Sequence, residues 1–226
     1  MNAPTAALPP ATLAALIRRL EQSCRGGDRE LGAEAGVVAT DHYTDPLRWQ
    51  QEQDTVFAQW PVVAAHSAEL GPGSALPFDA LGVPIVLTRA ADGRARAFFN
   101  VCRHRGMALV ASGGPEPVAA RPCKALVCPY HGWTYELDGR LRHRPHAETF
   151  DAFDAATLNL VELPCDETAG LVFVKRRPGP PFSAAAFLQG LGGHLQWLGL
   201  AGMKVFRKVD RVHAANWKLT VDAFLE

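Results

Sequence analysis

The sequence lacks an excess of charge of either sign. Its 23 Lys and Arg residues balance 23 Asp and Glu residues, so nothing in its overall electrostatics points to nucleic acid or an anionic membrane as a partner. Long apolar runs are also missing, and none approaches the roughly 18 residues that a membrane-spanning helix needs. Met1–Pro10 has neither a basic segment nor a long apolar one, which argues against a secretory leader and makes the cytoplasm the expected location. There is no internal repeat and no heptad pattern. Cysteine is scarce, with five residues at Cys24, Cys102, Cys123, Cys128 and Cys165. An odd, dispersed set makes a poor disulfide framework in a chain of this length, and it turns the question towards metal binding.

Apolar residues are not scarce. They make up 48% of the chain against 20% charged residues, enough to bury a core. Leu13, Leu16, Ile17 and Leu20 share one face of a helix that begins near Thr12 and ends near Gly26–Gly27. Asp45 as cap and Pro46 at the first position start a second helix, with Trp49, Val56, Phe57 and Trp60 along one side as expected core residues. The middle of the chain reads as β-structure. Val62–Ala65 is a short apolar run. Val83–Thr88 and Arg96–Asn100 flank an Asp92–Gly93 turn, and Trp133, Tyr135 and Leu137 alternate ahead of Asp138–Gly139. Leu171–Lys175 has the composition of a buried strand, and Pro178–Pro181 then interrupts the pattern. A helix from Ser183, a strand over Val205–Arg211 and a helix over Asn216–Glu226 follow. These features predict a helical extension over 1–40, a β-rich domain over 41–177 and the start of a further domain over 178–226.

Two short motifs carry chemistry. Cys102-Arg103-His104 and Cys128-Pro129-Tyr130-His131 each follow a β-type run, and each is followed by a glycine, Gly106 or Gly132. Two hairpin tips pinching one centre would bring together two thiolates and two imidazoles. That set suits either a tetrahedral zinc ion or a cluster with cysteines on one iron and histidines on the other. A zinc pair is usually separated by two to four residues, whereas Cys102 and His104 have one residue between them. That spacing favours the cluster, and zinc is the competing reading.

Cys-x-His-Arg-Gly together with Cys-Pro-Tyr-His-Gly-Trp-x-Tyr-x-Leu-Asp-Gly resembles the Rieske domain of ring-hydroxylating and related Rieske non-haem iron oxygenases, in their large (α) subunit. The resemblance runs from about Tyr43 to Gly139 and resumes at Asn216-Trp217-Lys218-Leu219. It implies a mostly β Rieske domain with antiparallel sheets and two ligand-bearing hairpin loops. N-terminal helices would precede that domain, and the start of an α+β helix-grip catalytic domain would follow. It implies a [2Fe–2S] cluster with Cys102 and Cys128 on the inner iron and His104 and His131 on the outer, more exposed one. The chain departs from the pattern in the 23 residues between His104 and Cys128, more than is usual in the family. The excess maps to a Gly/Pro-rich surface insertion at Gly113–Pro122.

Respiratory Rieske proteins carry a cysteine pair where this chain has Met107 and Tyr130, and a serine where it has Trp133. The resemblance therefore implies fewer hydrogen bonds to the sulfurs and a lower-potential centre. It also implies oxidoreductase activity of the monooxygenase or dioxygenase kind, such as aromatic ring hydroxylation or dealkylation. Electrons would come from a reductase or ferredoxin, and the full-length form would be a homotrimer. Glu226 matches an acid that bridges subunits next to the iron-binding histidines. Glutamate there is found in members acting on quaternary ammonium compounds, and aspartate in many aromatic-ring dioxygenases. The mononuclear Fe(II) ligands of the full-length family are expected downstream of Glu226. The chain then reads as a partial subunit that would not activate oxygen alone, with a stand-alone Rieske electron carrier as the alternative. His42, His66, His143, His146, His194 and His213 lack a ligand-spaced partner and read as ordinary histidines, although His143 and His146 lie near the second ligand loop. Cys24, Cys123 and Cys165 read as small loop or core residues. Arg103 and Arg105 frame the rim of the expected centre, and the role of Asp222 is open.

Overall fold

The structure is a computed structural model of the chain. It describes residues 10–27, 36–80, 82–111, 119–150, 152–209 and 211–225. Helix α1 (Pro10–Gly26) forms where the leucine spacing predicts it, yet its Leu13, Leu16, Ile17 and Leu20 face is 41–55% exposed. The helix expected from Pro46 is two, α3 (Pro46–Asp54) and α4 (Val56–Gln59), and a short α2 (Asp41–Thr44) precedes them. Asp45 caps α3 by accepting the Leu47 N–H at 2.9 Å, with Pro46 in the first turn. The break after Asp54 falls at Thr55, a β-branched residue whose hydroxyl donates back to the Gln51 carbonyl at 2.7 Å. Trp49 and Trp60 are 44% and 56% exposed, so they line a surface rather than the expected core.

The β-region comprises β1 (Val62–His66), β2 (Ser74–Ala80), β3 (Val83–Arg89), β4 (Ala95–Phe99), β5 (Arg121–Pro122), β6 (Leu126–Val127), β7 (Thr134–Tyr135), β8 (Leu141–His143), β9 (Glu162–Leu163), β10 (Cys165–Thr168) and β11 (Leu171–Val174). All of the pairs are antiparallel. They build three sheets, of order β1-β11-β10, β5-β2-β3-β4-β9 and β6-β7-β8. Strand alternation splits the core between the two faces of the central sheet. Leu76, Ile85, Leu87 and Ala97 point to one face, where Val172 and Val174 cover them. Ala75, Val86 and Phe98 point to the other, against Leu126, Trp133, Tyr135 and Leu137. Strand β3 is buried on both sides, which its unbroken Ile85–Val86–Leu87 run requires. The Thr88 hydroxyl donates to the Leu137 carbonyl at 2.7 Å and ties β3 to the third sheet. Gly139 makes that junction possible: its φ is +87°, and a Cβ there would collide with the Phe98 ring.

Beyond β11 lie α5 (Ala184–Leu188), α6 (Leu191–Trp197) and α7 (Trp217–Leu225). Ser183 caps α5 through the Ala186 N–H at 3.1 Å. The strand expected over Val205–Arg211 is absent from the described residues there. Val205 and Phe206 lie outside any helix or strand and are exposed. Helix α7 instead packs back on α2 and α3. The Tyr43 hydroxyl donates to Asp222 Oδ2 at 3.0 Å, the Asn216 amide donates to the Tyr43 carbonyl at 2.9 Å, and Trp217 Nε1–H donates to Glu52 at 2.8 Å. The Lys218 ammonium also pairs with Glu52, and the Phe57 and Trp217 rings meet edge-on at 5.2 Å. Asp222, whose role the sequence left open, is thus half of a tie between α2 and α7. No helix among the described residues is long and apolar enough to cross a membrane.

Candidate metal centre

The two motifs occupy loops with one hydrogen-bond plan. In the first, the Cys102 N–H donates to the Met107 carbonyl at 2.8 Å, and the Gly106 N–H donates to the Cys102 carbonyl at 3.0 Å. In the second, the Cys128 N–H donates to the Trp133 carbonyl at 2.8 Å, and the Gly132 N–H donates to the Cys128 carbonyl at 3.0 Å. Each loop closes on a glycine four residues after its cysteine, at φ +74° and +70°. Those positive angles explain why both motifs need glycine there. The loops differ in where the histidine falls, two residues after Cys102 and three after Cys128.

The result is two layers. Cys102 and Cys128 are 2% and 3% exposed and belong to the core. Burial pushes the Cys102 thiol up, and the Tyr135 hydroxyl and the His104 N–H act against that shift, while the nearby Cys128 adds to it. The His104 and His131 rings lie outside the cysteines, with centroids 4.7 Å apart. His104 is half-buried. It stacks on Trp133 at 5.1 Å with an interplanar angle of 5° and meets the edge of Phe150 at 5.7 Å. His131 is exposed and lies against Tyr130 at 3.8 Å. Burial depresses the His104 pKa, with His131 and Arg105 adding to the effect.

One atom in this arrangement has no partner of its own. His104 Nδ1 is buried and makes no hydrogen bond, a costly state for an imidazole nitrogen unless something outside the protein's own groups completes it. Two unpaired thiols and an orphaned imidazole nitrogen fit an iron–sulfur group with cysteines on one side and histidines on the other. Among the described residues, no three His, Cys, Asp or Glu side chains are grouped so as to hold a single ion.

Two functional residues escaped the sequence reading. Tyr135 is fully buried, and its hydroxyl lies 3.5 Å from Cys102 Sγ while accepting the Arg103 N–H at 3.0 Å. Replacing serine with Trp133 therefore does not strip the sulfurs of hydroxyl contacts, as a count limited to that position implies. The signal was present: a tyrosine on the buried face of an alternating strand must find a partner for its hydroxyl. Asn100, 1% exposed, accepts the Leu109 and Val110 N–H groups at 3.0 Å each and donates to the Val110 carbonyl at 2.7 Å, which fixes the base of the first loop.

The remaining candidates lie apart. Glu226 and residues 113–118 of the insertion are outside the described residues. His66 is held between the Ala68 N–H at 3.1 Å and the Leu200 carbonyl at 2.9 Å, an ordinary hydrogen-bonded histidine. His42, His194 and His213 are exposed. The Cys165 thiol is pushed up to about 12 by burial, with Asp166 next in effect, which makes it an inert core group.

Comparison with known proteins agrees with this geometry. Residues 59–161 match the Rieske [2Fe-2S] domain. The chain is 34% identical over 196 residues to the carnitine monooxygenase oxygenase subunit of Escherichia coli, covering 85% of this chain and 50% of that protein. It is 31% identical over 181 residues to the glycine betaine monooxygenase oxygenase subunit of Pseudomonas aeruginosa, covering 80% and 40%. The chain thus spans half or less of the length of these relatives. Its fold superposes on the quaternary ammonium Rieske monooxygenase CntA in complex with gamma-butyrobetaine with a TM-score of 0.73 at 28% identity, covering 91% of this chain and 57% of the other. The chain thus carries a Rieske [2Fe–2S] domain and is homologous to the oxygenase subunits of carnitine and glycine betaine monooxygenases.

Proposed function

We propose that Cys102, Cys128, His104 and His131 hold a [2Fe–2S] cluster, and that the chain is the electron-receiving part of an oxygen-dependent monooxygenase or dioxygenase. The observation that carries this reading is the two-layer site: a buried cysteine pair, a histidine pair outside it, and the unpartnered Nδ1 of His104. Bound there, the cluster supplies a one-electron relay. The protein's own groups set its surroundings. Trp133 and Phe150 exclude water from the His104 side, Tyr135 presents its hydroxyl to Cys102 Sγ, and the exposed His131 ring gives the shortest path to the surface.

The resemblance to Rieske oxygenases supports the rest of the reading. We assign the domain division 1–40, 41–177 and 178–226, with electrons arriving from a reductase or ferredoxin. They would pass on to a mononuclear iron held by sequence outside these residues, with Glu226 as the bridging acid, in a cytoplasmic homotrimer. A quaternary ammonium substrate is favoured over an aromatic one, because the carnitine and glycine betaine enzymes match 85% and 80% of the chain at 34% and 31% identity.

Anaerobic purification followed by iron and labile-sulfide analysis, visible absorption and EPR of the dithionite-reduced protein tests the centre. Equal iron and sulfide with a rhombic Rieske signal is the expected result. A colourless protein with stoichiometric zinc overturns it.

A further inference from the structure

A cleft of about 400 Å³ opens between the end of α4, the end of β11 and the start of α5, and none of its residues belongs to either ligand loop. Trp60, Phe182 and Phe187 line it. The Trp60 and Phe187 ring centroids lie 5.6 Å apart, and Phe187 meets the buried Phe173 at 6.2 Å. Both walls are held by their backbones: the Trp60 N–H donates to the Val56 carbonyl at 3.2 Å, and the Ala184 N–H donates to Asp166 Oδ2 at 2.7 Å. Trp60 is nevertheless 56% exposed. Lys175 is the one charged side chain in the lining. Its ammonium lies 5.3 Å from the centre of the Phe182 ring, and it has no carboxylate partner among the described residues. The nearest acid in α3 is engaged, since Asp54 pairs with Arg177 at 2.7 Å. Ser183 Oγ accepts the Ala186 N–H at 3.1 Å, which leaves its own O–H to donate into the cleft.

We propose that this cleft binds a small aromatic monocarboxylate, its ring against Trp60 and Phe187 and its carboxylate on the Lys175 ammonium and the Ser183 hydroxyl. The site is additional to the metal centre and does not rest on the cluster assignment. Each feature of the lining selects one part of that ligand. The volume suits a molecule of one or two rings, and the aromatic walls reward a flat apolar one. A single cation with no acid beside it matches one negative charge, and the second charge of a phosphate would go unmatched. A cationic ligand is turned away. The Lys175 ammonium already holds the face of Phe182, so the place over that ring that an ammonium group would take is filled by the protein's own charge. Because both walls are set by the fold, binding has little ordering to offset.

Phenylacetate, 2-phenylacetamide and phenethylamine carry one ring with a negative, a neutral and a positive tail, and calorimetry of each on the intact chain tests the cleft. At low salt phenylacetate should bind with a Kd of roughly 0.1–5 mM. It should bind at least about fivefold tighter than the other two, and high salt should shrink that preference. Lys175→Gln should bring phenylacetate to the level of the amide and leave the amide unchanged. Trp60→Ala, at an exposed position, should weaken both by at least about tenfold. Equal binding of phenylacetate and phenylacetamide by the wild type overturns the proposal, and that measurement needs no variant to fold. Tighter binding of phenethylamine also overturns it, making the cleft a cation site. A preference for the acid that survives Lys175→Gln, or binding unchanged in Trp60→Ala, places the ligand elsewhere and overturns the site. Phenylacetate that fails to bind at about 20 mM overturns it outright. None of these readouts passes through the metal centre, so the cleft and the cluster assignment fail separately.

Discussion

The Tyr135 hydroxyl sits 3.5 Å from Cys102 Sγ, held there by the Arg103 backbone N–H at 3.0 Å. A hydroxyl aimed at a ligand sulfur stabilises the reduced, more negative state of the centre. Tyr135→Phe removes that contact and also leaves the Arg103 N–H without its acceptor. At about 0.5–1.5 kcal/mol for one hydrogen bond, the midpoint potential should fall by roughly 20–60 mV. Redox titration checks this, and an unchanged potential would show that the hydroxyl serves packing alone.

His131→Cys tests the assignment of the outer pair. A thiolate in place of a neutral imidazole adds negative charge at the iron, so a cluster should persist with a potential lower by on the order of 100 mV. A retained Rieske EPR signal at the wild-type potential would remove His131 from the ligand set.

Asn100 holds three backbone groups of the first loop with one side chain. Asn100→Ala leaves two buried N–H groups and a carbonyl without partners, at about 1–3 kcal/mol for each group that water cannot reach. Urea denaturation should show a loss of several kcal/mol, and cluster content should fall with it. Full stability in Asn100→Ala would mean that water replaces the amide.

Gly139→Ala combines a left-handed backbone with a collision against Phe98. The expected cost is about 2–5 kcal/mol from the two effects together. Thermal unfolding measures it, with Asp138→Ala at the adjacent turn position as a milder control.

Arg89 grips Glu167 through two contacts, at 2.8 and 3.0 Å. Burial raises the Glu167 pKa, but the Arg89 hydrogen bonds and charge act against burial, and the net result is a carboxyl below its usual range. A depressed folded-state pKa means that the stabilisation is present above the unfolded carboxyl value, near 4.3. It is lost as the pH falls through the lower folded value. The acid limb of a stability–pH curve should therefore flatten in Glu167→Gln. An identical acid limb in the variant would assign the effect to other carboxylates.

Much of this was legible in the chain itself. Both ligand loops stood out because cysteine, histidine and glycine at fixed spacing have few other uses. The β3–β4 hairpin followed from Asp92–Gly93 between apolar runs. Other features depend on partners distant in sequence. Thr55 breaks a helix whose apolar stripe continues through the break, and Val205–Arg211 has a strand's composition yet forms no strand among its described residues. The Tyr135 hydroxyl, the Asn100 anchor and the Tyr43–Asp222 tie are each a polar atom meeting a segment that no local pattern names.

That last tie bears on how the protein is made. Trp217 and Glu52 are 165 residues apart in sequence. At about 5–20 residues per second of synthesis, α2 and α3 wait on the order of ten to thirty seconds after leaving the ribosome before their partner helix exists. During that interval Phe57 has no Trp217 to pack against and Glu52 has neither Trp217 nor Lys218 to pair with, which makes this stretch of the nascent chain a natural client for a chaperone.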